Sequence, residues 1–208
     1  MDTIGNIIRY DTAIAKKISD GDIPCIAEEK KANENDILRQ KIILSFGKHY
    51  ADKSFENFRD EKNTIGKAKK ALEKNMGLYI YGKSRTGKTH LACGIYRHIH
   101  KTISHNVLFR KCVELDILFS DYNDDERLRK IELLKKVDYL FLDDIGVGKL
   151  TQERHSMYYY VIDYRLSNDL WTCYTSNYMT NELWKGSTDA DPARIISRIR
   201  ETCKGIAL

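Results

Sequence analysis

The chain has 208 residues, 42% apolar and 31% charged, which is enough apolar matter for one medium domain with an accessory segment. No apolar run reaches the roughly 20 residues a bilayer crossing needs, and Met1 to Tyr10 lacks the layout of a secretory signal, so a cytoplasmic protein is expected. The formal charge of +5 permits contact with nucleic acid but does not argue for it. Five cysteines (Cys25, Cys93, Cys112, Cys173 and Cys203) are odd in number, widely spread and form no C-x-x-C pair. They support neither a zinc knuckle nor a disulfide framework, and reduced thiols are the simple reading.

Along the chain, Ile4, Ile7, Ile8, Ile14 and Ile18 fall near one helical face, and Ser19-Asp20-Gly21-Asp22 with Pro24 break that helix. Glu28 to Phe46 reads as a second helix with Ile37, Leu38, Ile42 and Phe46 on its apolar side. Residues 1–52 are therefore expected to form a small helical segment. Such a unit rarely folds well alone; it either covers the main domain or binds a partner.

From Lys53 the pattern changes. Ile65, Ala68, Leu72 and Met76 mark a short amphipathic helix, and then strand-like runs alternate with helices. Strands are predicted at Leu78–Tyr81, Val107–Arg110, Val137–Leu142, Trp171–Ser176 and Gly205–Leu208. Helices are predicted near Lys88–Lys101, Val113–Ser120, Asp125–Lys136, Thr151–Asn168, Asn181–Trp184 and Pro192–Cys203. This alternation with short connections implies an α/β domain over 53–208, a parallel sheet covered by helices on both faces.

Between the first strand and the helix after it, Gly82, Lys83, Ser84, Arg85, Thr86, Gly87, Lys88 and Thr89 read G-x-x-x-x-G-K-T. A strand before and a helix after are the setting in which that pattern binds phosphate. The glycines let successive backbone N–H groups curl around an anion, and the helix aims its positive end at the same point. These residues, with His90 next in the helix, are the candidate nucleotide contacts. Lys88 is suited to the β- and γ-phosphates, and the Thr89 hydroxyl to a magnesium ion.

The run Val137-Asp138-Tyr139-Leu140-Phe141-Leu142-Asp143-Asp144 is a buried strand closed by two acids. Carboxylates at the C-terminal end of a central parallel strand sit beside the phosphate loop. Asp143 is the candidate metal ligand, and Asp144 the group that orients or deprotonates an attacking water. Thr175-Ser176-Asn177 ends the next strong strand, where the neutral amide of Asn177 can hydrogen-bond water or γ-phosphate without adding repulsive charge. Arg194 and Arg198, four apart on a helix opened by Pro192, share a face opposite Ile195, Ile196 and Ile199. An exposed guanidinium on a rigid helix suits a γ-phosphate at a neighbouring subunit's site.

Taken together, Ser54-Phe55-Glu56-Asn57-Phe58, GKSRTGKTHLA, VDYLFLDDIG, YTSN and ARIISRIR, in that order, resemble the bacterial and phage replicative-helicase loaders of the DnaC/DnaI type. These are AAA+ ATPases, related to the IstB-type transposition helper ATPases. The resemblance covers Lys53 to the end of the chain. It implies a P-loop core with a five-stranded 5-1-4-3-2 parallel sheet and ATP sites shared between subunits. It also implies a variable N-terminal region that binds a DnaB-type helicase and helps to place it on single-stranded DNA.

By the same resemblance Lys88 and Thr89 are Walker A, Asp143 and Asp144 Walker B, and Asn177 the sensor. Arg194 and Arg198 stand in the arginine-finger helix, Arg194 the first choice. The SFENF segment is similar to the stretch lying against the adenine side of the nucleotide, though Phe55 and Phe58 fit a core role equally. DNA-contact candidates, from the regions that face the family's inner channel, are Tyr122, Lys149 and Thr151, beside several acids that oppose DNA.

Three departures stand out. Asp144 replaces the usual glutamate, which fits slow hydrolysis. With the core running to Leu208, the helical lid domain of typical AAA+ proteins is expected to be lacking. The N-terminal region lacks the cysteine cluster that some loaders carry. An ATP-dependent helicase loader is the leading expectation and an IstB-type helper the nearest rival. A small-molecule kinase would need an acceptor pocket and a mobile lid, and an adaptor with a dead ATP site sits badly with the intact Lys88, Thr89 and Asp143.

Overall fold

The computed structural model describes the backbone of residues 27–119, 124–187 and 190–208. The first predicted helix, around Ile4 to Ile18, lies outside these residues, and so does Tyr122. Of the described residues, 27–52 belong to one compact unit and those from Lys53 to Leu208 to another. In the first unit, α1 (Ala27–Phe46) is followed by a 3₁₀ turn at Lys48–Tyr50. Arg39 Nε reaches Asp52 Oδ1 at 3.0 Å, and the Phe46 and Tyr50 rings meet at 6.2 Å.

The second unit runs α2 (Thr64–Glu73), β1 (Gly77–Tyr81), α3 (Lys88–Thr102), β2 (Val107–Lys111), α4 (Cys112–Phe119), α5 (Asp124–Lys136), β3 (Tyr139–Asp143), α6 (Gln152–Ser167), β4 (Trp171–Ser176), α7 (Ala193–Thr202) and β5 (Cys203–Ala207). All strand pairs are parallel, in the order β2-β3-β4-β1-β5. Read from the other edge this is 5-1-4-3-2, the order the resemblance implies. Every residue of β4 is buried, and β3 is buried from Leu140 on, as central parallel strands require. The edge strand β5 buries only Ile206 fully.

The register sets the functional edge. Leu142 pairs with Tyr174, and Tyr81 with Ser176, so the C-terminal ends of β1, β3 and β4 lie side by side. The apolar stripe of α7 places Ile195 and Ile199 in the core and leaves Arg194 outside. Thr151 caps α6, its side-chain oxygen accepting from Arg154 N at 3.3 Å.

The segment Asn181–Trp184 and the starts of the third and fifth strands differ from the prediction, β5 beginning at Cys203 and not at Gly205. Asn181–Trp184 is a chain of turns, not a helix. Four residues are too few to nucleate a helix, and Trp184 sits at φ 52°. Its apolar signal came from burial of Leu183 and Trp184 in the core. The predicted strand at Val137 begins only at Tyr139, because α5 runs to Lys136. At that junction lies Arg165 of α6, 1% exposed. Its guanidinium donates to the carbonyls of Leu134 (2.9 Å), Lys135 (3.1 Å), Val137 (2.7 Å), Asp138 (3.3 Å) and Trp171 (2.6 Å), and its Nε to Thr172 Oγ1 (2.8 Å). One buried cation thus satisfies the orphan carbonyls at the end of α5 and ties α5, α6 and β4 together. Burial pushes its pKa down to about 10. Among the described residues, no helix is long and apolar enough to cross a membrane.

Candidate functional site

Tyr81 ends β1, and residues 82–87 turn back over the first turn of α3. Gly87 precedes that helix at φ 98°, a conformation a side chain would strain. A Cβ at Gly82 would stand 2.6 Å from the backbone oxygen of Leu208, so the loop passes close to β5. The turn therefore opens at the N-terminus of a 15-residue helix, where amide groups and dipole favour an anion. Lys83, Ser84, Arg85 and Thr86 are exposed, with Arg85 at φ 67° and Thr86 Oγ1 donating to Lys83 O at 3.0 Å.

The next three side chains have separate destinations. Lys88 Nζ donates to Gly82 O (3.1 Å), Lys83 O (2.9 Å) and Asn177 Oδ1 (2.8 Å), which places the sensor candidate just after β4 against the lysine that opens α3. Burial lowers the Lys88 pKa, and the charges of Asp144 and Asp143 oppose that shift. Thr89 Oγ1 donates to Asp143 Oδ1 at 3.2 Å. The His90 imidazole points elsewhere, its Nε2 lying 3.0 Å from Ser54 O and 2.9 Å from Asn57 Oδ1.

Asp143 is almost fully buried at the end of β3. Burial raises its carboxyl pKa most; a hydrogen bond from Thr175 opposes the rise, Asp144 adds to it, and Thr89 opposes it. Thr175 was not assigned a role from sequence. Its hydroxyl donates to Asp143 Oδ1 at 2.5 Å and accepts from Asp144 N at 2.9 Å, so it fixes both acids. Its signal was only its place, two residues before Asn177 in YTSN. Ser176 does similar work nearby, donating to Ile145 O at 2.7 Å and accepting from Tyr178 N at 3.2 Å. Asp144 itself is exposed and sits at φ 57°, a left-handed conformation that aspartate tolerates better than most residues.

The donor set suits magnesium. The Thr89 hydroxyl and Asp143 carboxylate are hard oxygen ligands, and the buried Asp143 carboxyl is held by the hydroxyls of Thr89 and Thr175.

The two arginines of α7 divide. Arg194 is exposed and makes no hydrogen bond or ion pair among the described residues. Arg198 Nε pairs with Asp163 Oδ1 of α6 at 2.9 Å, and its Nη1 lies 3.4 Å from Glu201 Oε2. After β3, Lys149 is exposed. The loop before α6 is braced by Arg154, which donates to Lys149 O and to Val147 O (3.3 Å). Thr151 lies in the same stretch, with its oxygen engaged in the α6 cap.

The model of the family described as IstB-like ATP binding protein matches residues 42–204. The chain is 28% identical to the replicative helicase loader DnaI of Bacillus subtilis (strain 168), over 61% of this chain and 39% of that protein. It is 26% identical to the chromosomal replication initiator protein DnaA of Onion yellows phytoplasma (strain OY-M), over 75% of this chain and 34% of that protein. The chain thus spans between a third and two fifths of the length of these curated relatives. A crystal structure of DnaI superposes with a TM-score of 0.66 at 26% identity, covering 75% of this chain and 90% of that one. A crystal structure of the DnaC helicase loader shares the fold, with a TM-score of 0.60 at 19% identity, 77% of this chain and 99% of that one.

Proposed function

The chain belongs to the IstB-like ATP binding protein family, and from that premise we propose that it is a magnesium- and ATP-dependent loader that places a DnaB-type replicative helicase on single-stranded DNA. The observation that carries this reading is the gathering of Lys88, Thr89, Asp143 and Asn177 at one edge of the sheet. Similarity to DnaI favours the helicase as partner. Residues 53–208 are assigned as the ATPase domain and residues 1–52 as the segment that engages the helicase.

The loop 82–87 and the start of α3 bind the triphosphate, and Lys88 neutralises its terminal oxygens. Thr89 and Asp143 hold the magnesium ion, which when bound neutralises charge on the phosphates. Asp144 accepts a proton from the attacking water, and Asn177 orients that water without adding negative charge. Asp144 is one methylene shorter than glutamate, so turnover is slow and ATP acts more as a switch than as a motor.

Arg194 is assigned as the arginine given to a neighbouring subunit's triphosphate, because Arg198 is committed to Asp163 within its own chain. Such an arginine is worth roughly 10³-fold or more in rate. Lys149 remains the best DNA-contact candidate, by its exposure and charge.

The name of the matched family favours a second reading, a transposition helper that binds duplex DNA and a transposase. Co-purification separates the two. A loader is retained by a DnaB-type helicase in the presence of ATP and single-stranded DNA. Retention by a transposase on duplex DNA, and not by the helicase, overturns the loader. Lys88→Ala should abolish nucleotide binding, whereas Arg194→Ala should keep it and lose ATP-dependent assembly.

A further inference from the structure

The segment that opens the second unit lies against the phosphate-loop helix. Lys53 O accepts from Arg97 Nε at 2.7 Å, which pins the start of the segment to α3. Gly94, inside α3, leaves room for Phe55; a Cβ there would stand 2.6 Å from the ring. The Phe58 ring lies 3.2 Å from the Cβ position of Gly87, in the loop itself, and meets the His90 ring edge-on at 5.1 Å. Asn57 is the pivot. Its Oδ1 accepts from Ser54 N at 2.9 Å and lies 2.9 Å from His90 Nε2. Both neighbours of that nitrogen, Asn57 Oδ1 and Ser54 O, are acceptors, so His90 Nε2 carries the proton. At its far end the segment is fastened by Asp60, whose carboxylate accepts from Thr64 N and Ile65 N at the start of α2.

Thr89 and His90 are consecutive in the first turn of α3. One is tied to Asp143, the other to residues 54 and 57. A change in that turn is therefore felt at both places. We propose that residues 53–58 form a nucleotide-responsive strap, in which Asn57 and Phe58 couple the state of the phosphate loop to the chain leading into residues 1–52. The coupling rests on the reading of residues 82–89 as an ATP site, and Asn57 acts in it as a positioning residue. Ordering of the loop by a bound triphosphate holds Gly87 and His90, and these hold Phe58 and Asn57. Coupling of this kind is reciprocal, so a partner that engages the strap also changes nucleotide affinity.

The test is hydrogen exchange in residues 54–59 of the full chain, with and without Mg·ATP, together with binding of a fluorescent ATP analogue to the same samples. In the parent chain the nucleotide should slow exchange of the Phe58 amide, which donates to Phe55 O at 3.3 Å, by about 10-fold or more. Asn57→Ala, at an exposed position, should bind the analogue yet lose most of that difference. A purely structural role would instead raise exchange equally in both states. Protection of equal size in parent and Asn57→Ala overturns the strap, as does analogue binding without any protection in the parent. No analogue binding by the parent would remove the ATP-site reading and the strap with it.

Discussion

Thr175→Val isolates one hydroxyl at the centre of the site. Valine keeps the shape and removes the donor to Asp143 Oδ1 (2.5 Å) and the acceptor for Asp144 N (2.9 Å). A hydrogen bond to a charged group is worth about 1.5–3 kcal/mol, and each 1.4 kcal/mol is a factor of ten. If that energy is what orients Asp143 for magnesium, the variant should need roughly 10- to 100-fold more Mg²⁺ for half-maximal ATP turnover, the usual cost of losing such an outer partner. Nucleotide binding without metal should be unchanged. A second readout is the pH profile. Thr175 favours the ionised form of Asp143 against burial, so its loss raises that pKa further and moves the acid limb of activity to higher pH. Thr175→Ser should restore both. A valine variant with parental Mg²⁺ dependence and an unmoved acid limb would refute the argument.

The pKa of Asp143 is raised in the folded chain, chiefly by burial. An acid whose folded pKa lies above its unfolded value loses stability as pH rises through that window, so at neutral pH its charge is a cost. Asp143→Asn should therefore raise the melting temperature at pH 7, by less at pH 4, while Mg²⁺-dependent turnover is lost; a lower melting temperature at pH 7 would contradict this. Arg165→Met leaves five backbone carbonyls without their donor and should lower the denaturant-derived stability by about 3–5 kcal/mol, with the thiols and loop residues unaltered in sequence. Gly94→Ala should destabilise despite a helix-propensity gain of about 1 kcal/mol, and Phe55→Ala should relieve that effect in a double-mutant cycle, since the new Cβ meets the Phe55 ring. The Cys93 thiol, buried and pushed up to about 11, should resist iodoacetamide at pH 8 until denaturant is added; rapid labelling in the native state would show that α3 opens.

Local pattern was sufficient for much of this protein. Gly82 to Thr89 could be recognised because a phosphate loop is contiguous, and backbone turn, lysine and hydroxyl arrive in one stretch. The buried strands β3 and β4 were legible as apolar runs, and Asp143 and Asn177 as the polar residues that close them. A short apolar stretch misled at Asn181–Trp184, where burial of Leu183 and Trp184 imitates a helix face.

Tertiary structure decided what depends on partners distant in the chain. Sequence spacing put Arg194 and Arg198 on one face; only the packing of α7 beside α6 sets Asp163 against Arg198 and leaves Arg194 without a hydrogen bond or ion pair among the described residues. Thr175 looks like any strand threonine until the β3–β4 register brings it to Asp143, 32 positions away. Arg165 carries no signal in the sequence, yet it is buried and donates to five backbone carbonyls from α5, β4 and the turn after α5. Periodicity reports which face of an element is apolar, but an ion pair or a buried hydrogen bond is a distance between two elements, and that distance exists only once the sheet has formed.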